Sequence, residues 1–168
     1  PAGYAKIAKA GLLGPDHQLV HGTSYDTADL RVVVDSGASL SSTVLVELHH
    51  HIGDTMVAAY REQGGLPSIG IDVELYTSGQ MCREMQAALL VARGKEVRNN
   101  ASRGNSPLKT IPVRSREALE WATINGAKAF RLDGKIGTLS PGKKADIVML
   151  RADDVNMTPV YDPIFSIV

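Results

Sequence analysis

Two ionisable side chains directly follow short strand-like stretches of the sequence. His21 follows residues 18–20, and Asp72 follows residues 68–71. In parallel α/β folds, functional residues collect at the carboxyl ends of the strands. One hypothesis is therefore that each residue is a metal ligand or an acid–base group that faces a shared cleft. The alternative is that Asp72 caps the next helix and His21 is a hydrogen-bonded histidine without a catalytic role.

Other reactive side chains give weaker indications of chemistry. Three successive histidines occupy residues 49–51. Successive residues point in different directions on a helix or a strand, so these three cannot all bind one ion, and the pattern favours a polar surface or pocket-rim cluster. Cys82 lies beside the apolar face of a predicted helix, which favours packing over a nucleophilic role. The serines at 36, 39, 41 and 42 lack the Gly-x-Ser-x-Gly pattern of a serine hydrolase.

The elements that would position these residues alternate between strand and helix. Strands are predicted at 18–22, 38–43, 67–71 and 145–150, with a final apolar strand at 164–168. Helices are predicted at 27–35, capped by Asp26 or Thr27 and stopped by Gly37, at 54–63, from Met81 to a stop at Gly94, and at 116–130, with an exposed loop at 99–112. This alternation favours a parallel sheet with helices outside it. An eightfold barrel and an open doubly wound sheet share the local pattern, so periodicity leaves both possible.

The composition excludes several classes of partner. The 168 residues are 43% hydrophobic and 21% charged, as in ordinary globular domains. Lysine plus arginine and aspartate plus glutamate each number 18, so the sequence predicts neither a nucleic-acid nor a membrane partner. No apolar run approaches the roughly 18 residues that span a bilayer. With Cys82 as the single cysteine, a reducing compartment is expected, and we predict a cytoplasmic location.

The most specific pattern in the sequence runs from residue 117 to residue 148. It reads A-T-x-N-G-A over 122–127 and I-G-x-L-x-P-G-K-x-A-D over 136–146. This order resembles the end of amidohydrolase barrels, where the last barrel helix leads into a small β-sandwich. The resemblance implies an α/β fold: the C-terminal part of a (β/α)8 barrel over 1–132, about strands 6 to 8, and the start of the C-terminal β-sandwich over 133–168.

The resemblance also suggests roles for the residues at the strand ends. Residues 20–22 resemble the sixth barrel strand, whose histidine contacts the reacting group, so His21 is implied as catalytic. Residues 68–72 resemble the eighth strand, so Asp72 is implied as both a catalytic residue and a metal ligand. The family usually has Gly-Thr-Asp there, whereas this chain has isoleucine in place of the threonine.

The seventh-strand region of the family resembles residues 39–47. Thr43 and Glu47 match the family pattern and are implied as substrate-binding residues. Residues 44–45 are Val-Leu, where the family pattern has Pro-Glu. In this region the resemblance therefore covers Thr43 and Glu47 but not residues 44–45.

The resemblance points to the branch that contains cytosine and guanine deaminases, S-adenosylhomocysteine deaminase and triazine hydrolases. There, a bound Zn²⁺ or Fe²⁺ ion makes a hydroxide from water near neutral pH. Asp72 would ligate the metal and take the water proton, and His21 would bond the hydroxide or the tetrahedral intermediate. The implied reaction is hydrolysis of a non-peptide C–N bond, most simply deamination of a nucleobase-like or triazine-like ring.

The remaining metal ligands of the family have no counterpart in the sequence. These are the His-x-His of the first strand and the fifth-strand histidine with its glutamate. The chain begins with Pro1 and ends on apolar residues, so we expect it to be part of a longer protein. Catalytic zinc generally takes three protein ligands, so the chain alone is expected to be inactive and to bind no metal tightly.

Two alternatives to deamination stay open. One is a dehalogenating or amide-hydrolysing member of the same family. The other is a non-catalytic remnant or assembly module. The predicted partners are a small-molecule substrate and other copies of the chain, since a partial barrel exposes strand edges and favours a homo-oligomer.

Overall fold

Three short strands form one parallel sheet in the computed structural model, which describes residues 2–50 and 53–168. The strands are β1 (Gln18–Val20), β2 (Ser39–Ser42) and β3 (Ser68–Ile69), and they pair in chain order. Leu19 lies opposite Leu40, and Ser41 lies opposite Ser68. Because the strands are parallel, their carboxyl ends share one edge of the sheet, as the sequence predicts.

Helices occupy most of the segments between and after the strands. They are α1 (Ala2–Lys9), α2 (Thr27–Ser36), α3 (Val44–His50), α4 (Val57–Glu62), α5 (Met81–Ser102), α6 (Ser115–Trp121), α7 (Ile124–Ala129) and α8 (Pro163–Ile167). The predicted ends of α2 are confirmed. Asp26 accepts a hydrogen bond from the Asp29 amide at 2.9 Å, and Gly37 ends the helix with a φ of 75°. Neither α1 nor α3 is predicted from the sequence.

Two clusters of buried apolar side chains join the helices to the sheet. The first joins α2 and α4 to β2 through Leu30, Val33, Leu40, Met56 and Tyr60, with Leu13 and Ala38. The second joins α5 and α6 to β3 and includes Ile69, Met85, Leu89, Val113 and Trp121. The predicted apolar face of α5 is therefore buried. Among the described residues, no helix is both long and apolar enough to cross a membrane.

The predicted stop of α5 at Gly94 is wrong, because the helix continues past it. An interior glycine costs only about 1 kcal/mol relative to alanine, so tertiary contacts can override it. The Arg93 Nε donates to the Val113 carbonyl at 2.9 Å. The Glu96 carboxylate lies 3.4 Å from the Arg61 guanidinium. These contacts hold the turns of the helix around and beyond Gly94.

The single helix predicted at 116–130 is two helices, α6 and α7. Between them Thr123 has a φ of −130° and a ψ of −93°, outside the helical region. Its Oγ1 donates to the Leu119 carbonyl at 2.7 Å, a bond that competes with regular helix hydrogen bonding. The apolar periodicity of the sequence does not predict this local break.

The strand predicted at 145–150 is also wrong. Its backbone is irregular, and Val148 and Met149 are 85% and 89% exposed. A strand needs a neighbour to satisfy its backbone groups. Within residues 2–50 and 53–168, no segment pairs with this one.

The final strand predicted at 164–168 is a helix, α8. Asp162 caps it by accepting hydrogen bonds from the amides of Ile164 at 2.8 Å and Phe165 at 3.2 Å. Pro163 occupies the start of the helix, where its missing N–H has no consequence. A short apolar run does not by itself distinguish a helix from a strand, but this capping pair does.

Candidate active site

The turns that follow β1 and β3 bring two side chains toward each other. His21 and Asp72 have φ values of 68° and 57°, a left-handed conformation that is uncommon outside glycine. The His21 amide still donates to the Ser41 carbonyl at 2.8 Å, so the backbone of His21 is held against β2. The His21 Nε2 lies 3.7 Å from the Asp72 Oδ2. Backbone strain of this kind is typical of functional sites.

Gly22 makes the first of these turns possible. Its φ is 64°, and a Cβ at this position would lie 2.8 Å from the ring of Tyr25. A side chain here would meet both backbone strain and a steric clash. The turn after β1 thus requires glycine at position 22.

Thr43 lies between the two ionisable side chains. It follows β2, the central strand, and is 5% exposed. Its Oγ1 lies 3.1 Å from the His21 Nδ1 and donates to the Asp72 Oδ2 at 3.5 Å. The hydroxyl therefore links the ends of all three strands.

Glu47 reaches the same ring from α3. Its Oε1 accepts a hydrogen bond from the Thr43 amide at 2.8 Å and lies 3.3 Å from the His21 Nδ1. Its Oε2 is buried without a hydrogen-bond partner among the described residues. The Glu47 side chain has no exposed surface, whereas those of His21 and Asp72 are 39% and 27% exposed. The open side of the group is thus formed by His21 and Asp72.

All four site residues predicted from the sequence therefore lie together at the carboxyl edge of the sheet. The imidazole of His21 has a carboxylate on each side, with Glu47 at Nδ1 and Asp72 at Nε2. A carboxylate that accepts Nδ1–H orients the ring and fixes which nitrogen faces the open side. This arrangement can hold a proton at Nε2 and deliver it to a bound molecule.

A fifth residue, Glu84, is missed by sequence reasoning. It lies on α5, is 1% exposed, and its carboxylate accepts hydrogen bonds from the amides of Val44 and Leu45. Burial raises the pKa of Glu84 to about 7; the two amide hydrogen bonds lower it, and the charge of Glu47 raises it. The available signal was an acidic residue within the apolar face of a predicted helix, since buried glutamates are rare.

His49 and His50 of the histidine run lie at the end of α3. His49 and His50 are exposed, as predicted, and their rings lie 5.5 Å and 4.2 Å from the ring of Tyr76. His51 lies outside the described residues. Cys82 is exposed, so the packing role predicted for it is wrong. It stands on the solvent side of α5, next to the apolar face rather than within it.

The donor set at the sheet edge is incomplete for a metal ion. Across residues 2–50 and 53–168, no three histidine, cysteine, aspartate or glutamate side chains are grouped so as to hold one. The Asp72 carboxylate is partly exposed at the open side of the group. A partly exposed carboxylate of this kind can supply one ligand to a metal ion.

The similar proteins are much longer than this chain. A 5-methylthioadenosine/S-adenosylhomocysteine deaminase of Teredinibacter turnerae is 32% identical over 97% of the chain and 35% of the relative. A 5'-deoxyadenosine deaminase of Methanosarcina mazei is 26% identical over 90% of the chain and 32% of the relative. The chain thus spans about a third of the length of the curated relatives it matches.

Solved structures show the same fold in part of a barrel enzyme. A zinc-bound adenosine deaminase from Xanthomonas campestris superposes with a TM-score of 0.81 at 22% identity, covering 97% of this chain and 35% of that one. The zinc complex of atrazine chlorohydrolase from Arthrobacter aurescens gives 0.80 at 20% identity, covering 98% and 34%. The sequence matches the amidohydrolase family over residues 9–167. The chain therefore belongs to the amidohydrolase family.

Proposed function

We propose that the protein containing this chain is a metal-dependent hydrolase that deaminates a small nucleobase-like or triazine-like ring. The observation that carries the proposal is the placement of His21 between the carboxylates of Glu47 and Asp72, on the open edge of the sheet. The similarity to deaminases of adenine-containing nucleosides supports a purine-type ring. The similarity to atrazine chlorohydrolase supports the second candidate, dehalogenation.

Asp72 would hold the metal together with ligands from the rest of the protein. Its carboxylate is accessible on the open side, and its contacts with His21 at 3.7 Å and Thr43 at 3.5 Å are long enough to leave it available for a ligand bond. A zinc or iron ion, when bound, supplies Lewis-acid activation of water near neutral pH. A carboxylate suits this role because it is a ligand and a proton acceptor at once.

The proton steps follow from the position of the His21 ring. Asp72 takes the proton that the attacking water gives up. With Nδ1–H donated to Glu47, the protonated ring presents Nε2–H to the open side, where it can stabilise negative charge on the substrate or protonate the leaving amine. A bond forms between the ring carbon and the water oxygen, and the bond from that carbon to the amine nitrogen breaks as ammonia leaves. The proton that Asp72 gains is matched by the proton that His21 gives to the leaving amine.

Glu47 and Thr43 act on this ring from the closed side. Since the Glu47 side chain has no exposed surface, we infer that it orients His21. Contact of Thr43 and Glu47 with the substrate stays a prediction. Orienting His21 and contacting the substrate are both roles within the same site.

We further propose a two-part organisation for the region. Residues 1–132 belong to the barrel, and residues 133–168 begin the small β-sandwich of the whole protein. The family pattern over 122–127 and 136–146 lies on both sides of the proposed boundary between the two parts.

The test is a substrate panel assayed with the full-length, zinc-loaded protein. The panel contains 5-methylthioadenosine, S-adenosylhomocysteine, 5'-deoxyadenosine, guanine, cytosine and atrazine, and both ammonia and chloride release are measured. We expect ammonia release from at least one nitrogen ring. Chloride release without ammonia would replace deamination by dehalogenation. Release of neither product from a folded protein with bound metal would support the non-catalytic alternative.

A further inference from the structure

We propose that Glu84 is a positioning residue for His21 and acts on it through the first turn of α3. The inference rests on the proposed function, because it assigns a role in the same hydrolytic site. Glu84 is not predicted to touch substrate or metal. Its importance comes from what its carboxylate holds.

Glu84 fastens the start of α3 to α5. Its carboxylate accepts hydrogen bonds from the amides of Val44 and Leu45, the first two residues of α3, and the bond to Leu45 is 3.3 Å long. A carboxylate that receives two backbone amides is a strong and directional anchor. Glu84 is 1% exposed and Val44 is 0% exposed, so the hydrogen bond between them is shielded from water.

The anchored segment carries both groups that contact the Nδ1 of His21. Thr43 precedes Val44 directly, and its Oγ1 lies 3.1 Å from Nδ1. Glu47 lies one turn further along α3, accepts from the Thr43 amide at 2.8 Å, and lies 3.3 Å from Nδ1. A shift at the start of α3 therefore moves both partners of the His21 ring together. The position of Nε2 on the open side changes with them.

The electrostatic setting makes this anchor sensitive to change. Glu47 and Glu84 are both buried carboxylates, and the charge of Glu47 opposes ionisation of Glu84. The amides of Val44 and Leu45 offset part of this repulsion because they donate to the ionised group. Glutamine in place of Glu84 keeps at most part of the anchor. Its side-chain oxygen can accept from one backbone amide, but its NH2 group is a donor and would face the other backbone N–H.

The test compares Glu84→Gln and Glu84→Ala in the full-length protein, with the exposed Glu120→Gln as the matched control. We expect Glu84→Ala to lower kcat by about 10–100-fold, as displacement of a catalytic group does, while KM changes by less than about threefold. Glu84→Gln should recover part of the loss, because its amide oxygen keeps one acceptor. The control should retain the wild-type kcat.

A second measurement separates positioning from general stability. In uniformly ¹⁵N-labelled protein, the ring nitrogens of His21 should shift in Glu84→Gln and stay in place in Glu120→Gln. Wild-type kcat and unchanged His21 signals in folded Glu84→Gln would overturn the inference, and so would a raised KM at constant kcat. If wild-type protein turns over none of the panel, the proposed function fails, and the His21 signals still decide the role of Glu84.

Discussion

The carboxyl edge of the sheet and the segment 133–162 differ in how well the specificity of the sequence pattern matches the order of the structure. The segment holds the motif at 136–146, the most specific pattern in the sequence, yet its backbone is irregular and Leu139 is 80% exposed. The sheet edge is built from short stretches with little specificity, yet four of its polar side chains are in contact. A motif therefore identifies the family, whereas local order depends on partners that lie within the same chain.

The physical difference lies in what satisfies the backbone and side-chain polar groups of each region. At the sheet edge, three paired strands and α3 supply amides and hydroxyls at distances of 2.8–3.5 Å. In the segment, Val155 is 97% exposed and Tyr161 is 93% exposed. Apolar side chains of this size stabilise a fold only when they are buried. Substitutions should therefore affect chemistry at the edge and association in the segment.

The largest expected effect is that of Asp72→Asn in the full-length protein. The change removes the proton acceptor and the negative charge of a proposed metal ligand while keeping the shape of the side chain. We expect turnover to fall by more than about 10⁴-fold, the upper end of what a general base alone contributes. Asp35→Asn is the matched control, because Asp35 is exposed and pairs with Arg31 on α2. If Asp72→Asn turned over substrate at the wild-type rate, Asp72 would have no role in the mechanism.

The next effect is that of His21→Ala, compared with His17→Ala at the other end of β1. Each histidine has a carboxylate near its Nδ1, Glu47 at 3.3 Å for His21 and Asp16 at 3.1 Å for His17. Only His21 lies at the carboxyl edge. We expect a loss of about 10²-fold or more in kcat for His21→Ala, typical of an acid–base group, and no loss for His17→Ala. Equal kcat values for the two variants would contradict the site assignment.

The sequence predicts the edge of the sheet well, because the rules for parallel strands are local. An apolar stretch that ends in His21 or Asp72 places each side chain at the same edge once the strands pair. The role of Glu84 depends on a contact with Val44, which lies 40 residues away in the sequence. Local periodicity carries no information on such a contact. The helix α3 is short and follows β2 directly, so it lacks the repeated apolar pattern that predicts longer helices.

A smaller effect concerns the stability of the 168-residue chain as a function of pH. Burial raises the pKa of Glu84 from 4.5 to about 7, so the folded chain binds this proton more tightly than the unfolded chain. The resulting stabilisation is complete below pH 4.5 and is lost as the pH rises through about 7. Its size is on the order of 3 kcal/mol.

Urea unfolding at several pH values measures this dependence. We expect the free energy of unfolding of Glu84→Gln to fall less between pH 4.5 and 7 than that of the wild type, because glutamine does not titrate. Glu120→Gln should follow the wild-type curve. Parallel curves for wild type and Glu84→Gln would show that Glu84 ionises as freely in the folded chain as in the unfolded one.

The last prediction concerns self-association through the segment 133–162 and involves neither turnover nor the site. Val148 and Met149 are 85% and 89% exposed, and burial of such a side chain contributes about 1.5–3 kcal/mol. We therefore expect the 168-residue chain to self-associate at low micromolar concentration. The double variant Val148→Lys, Met149→Lys should shift it toward the monomer, whereas the exposed Thr138→Lys should not. Light scattering distinguishes these states, since the monomer has a mass of 18.0 kDa. A wild-type monomer would show that the apolar side chains of the segment are tolerated in water, and the predicted homo-oligomer would be wrong.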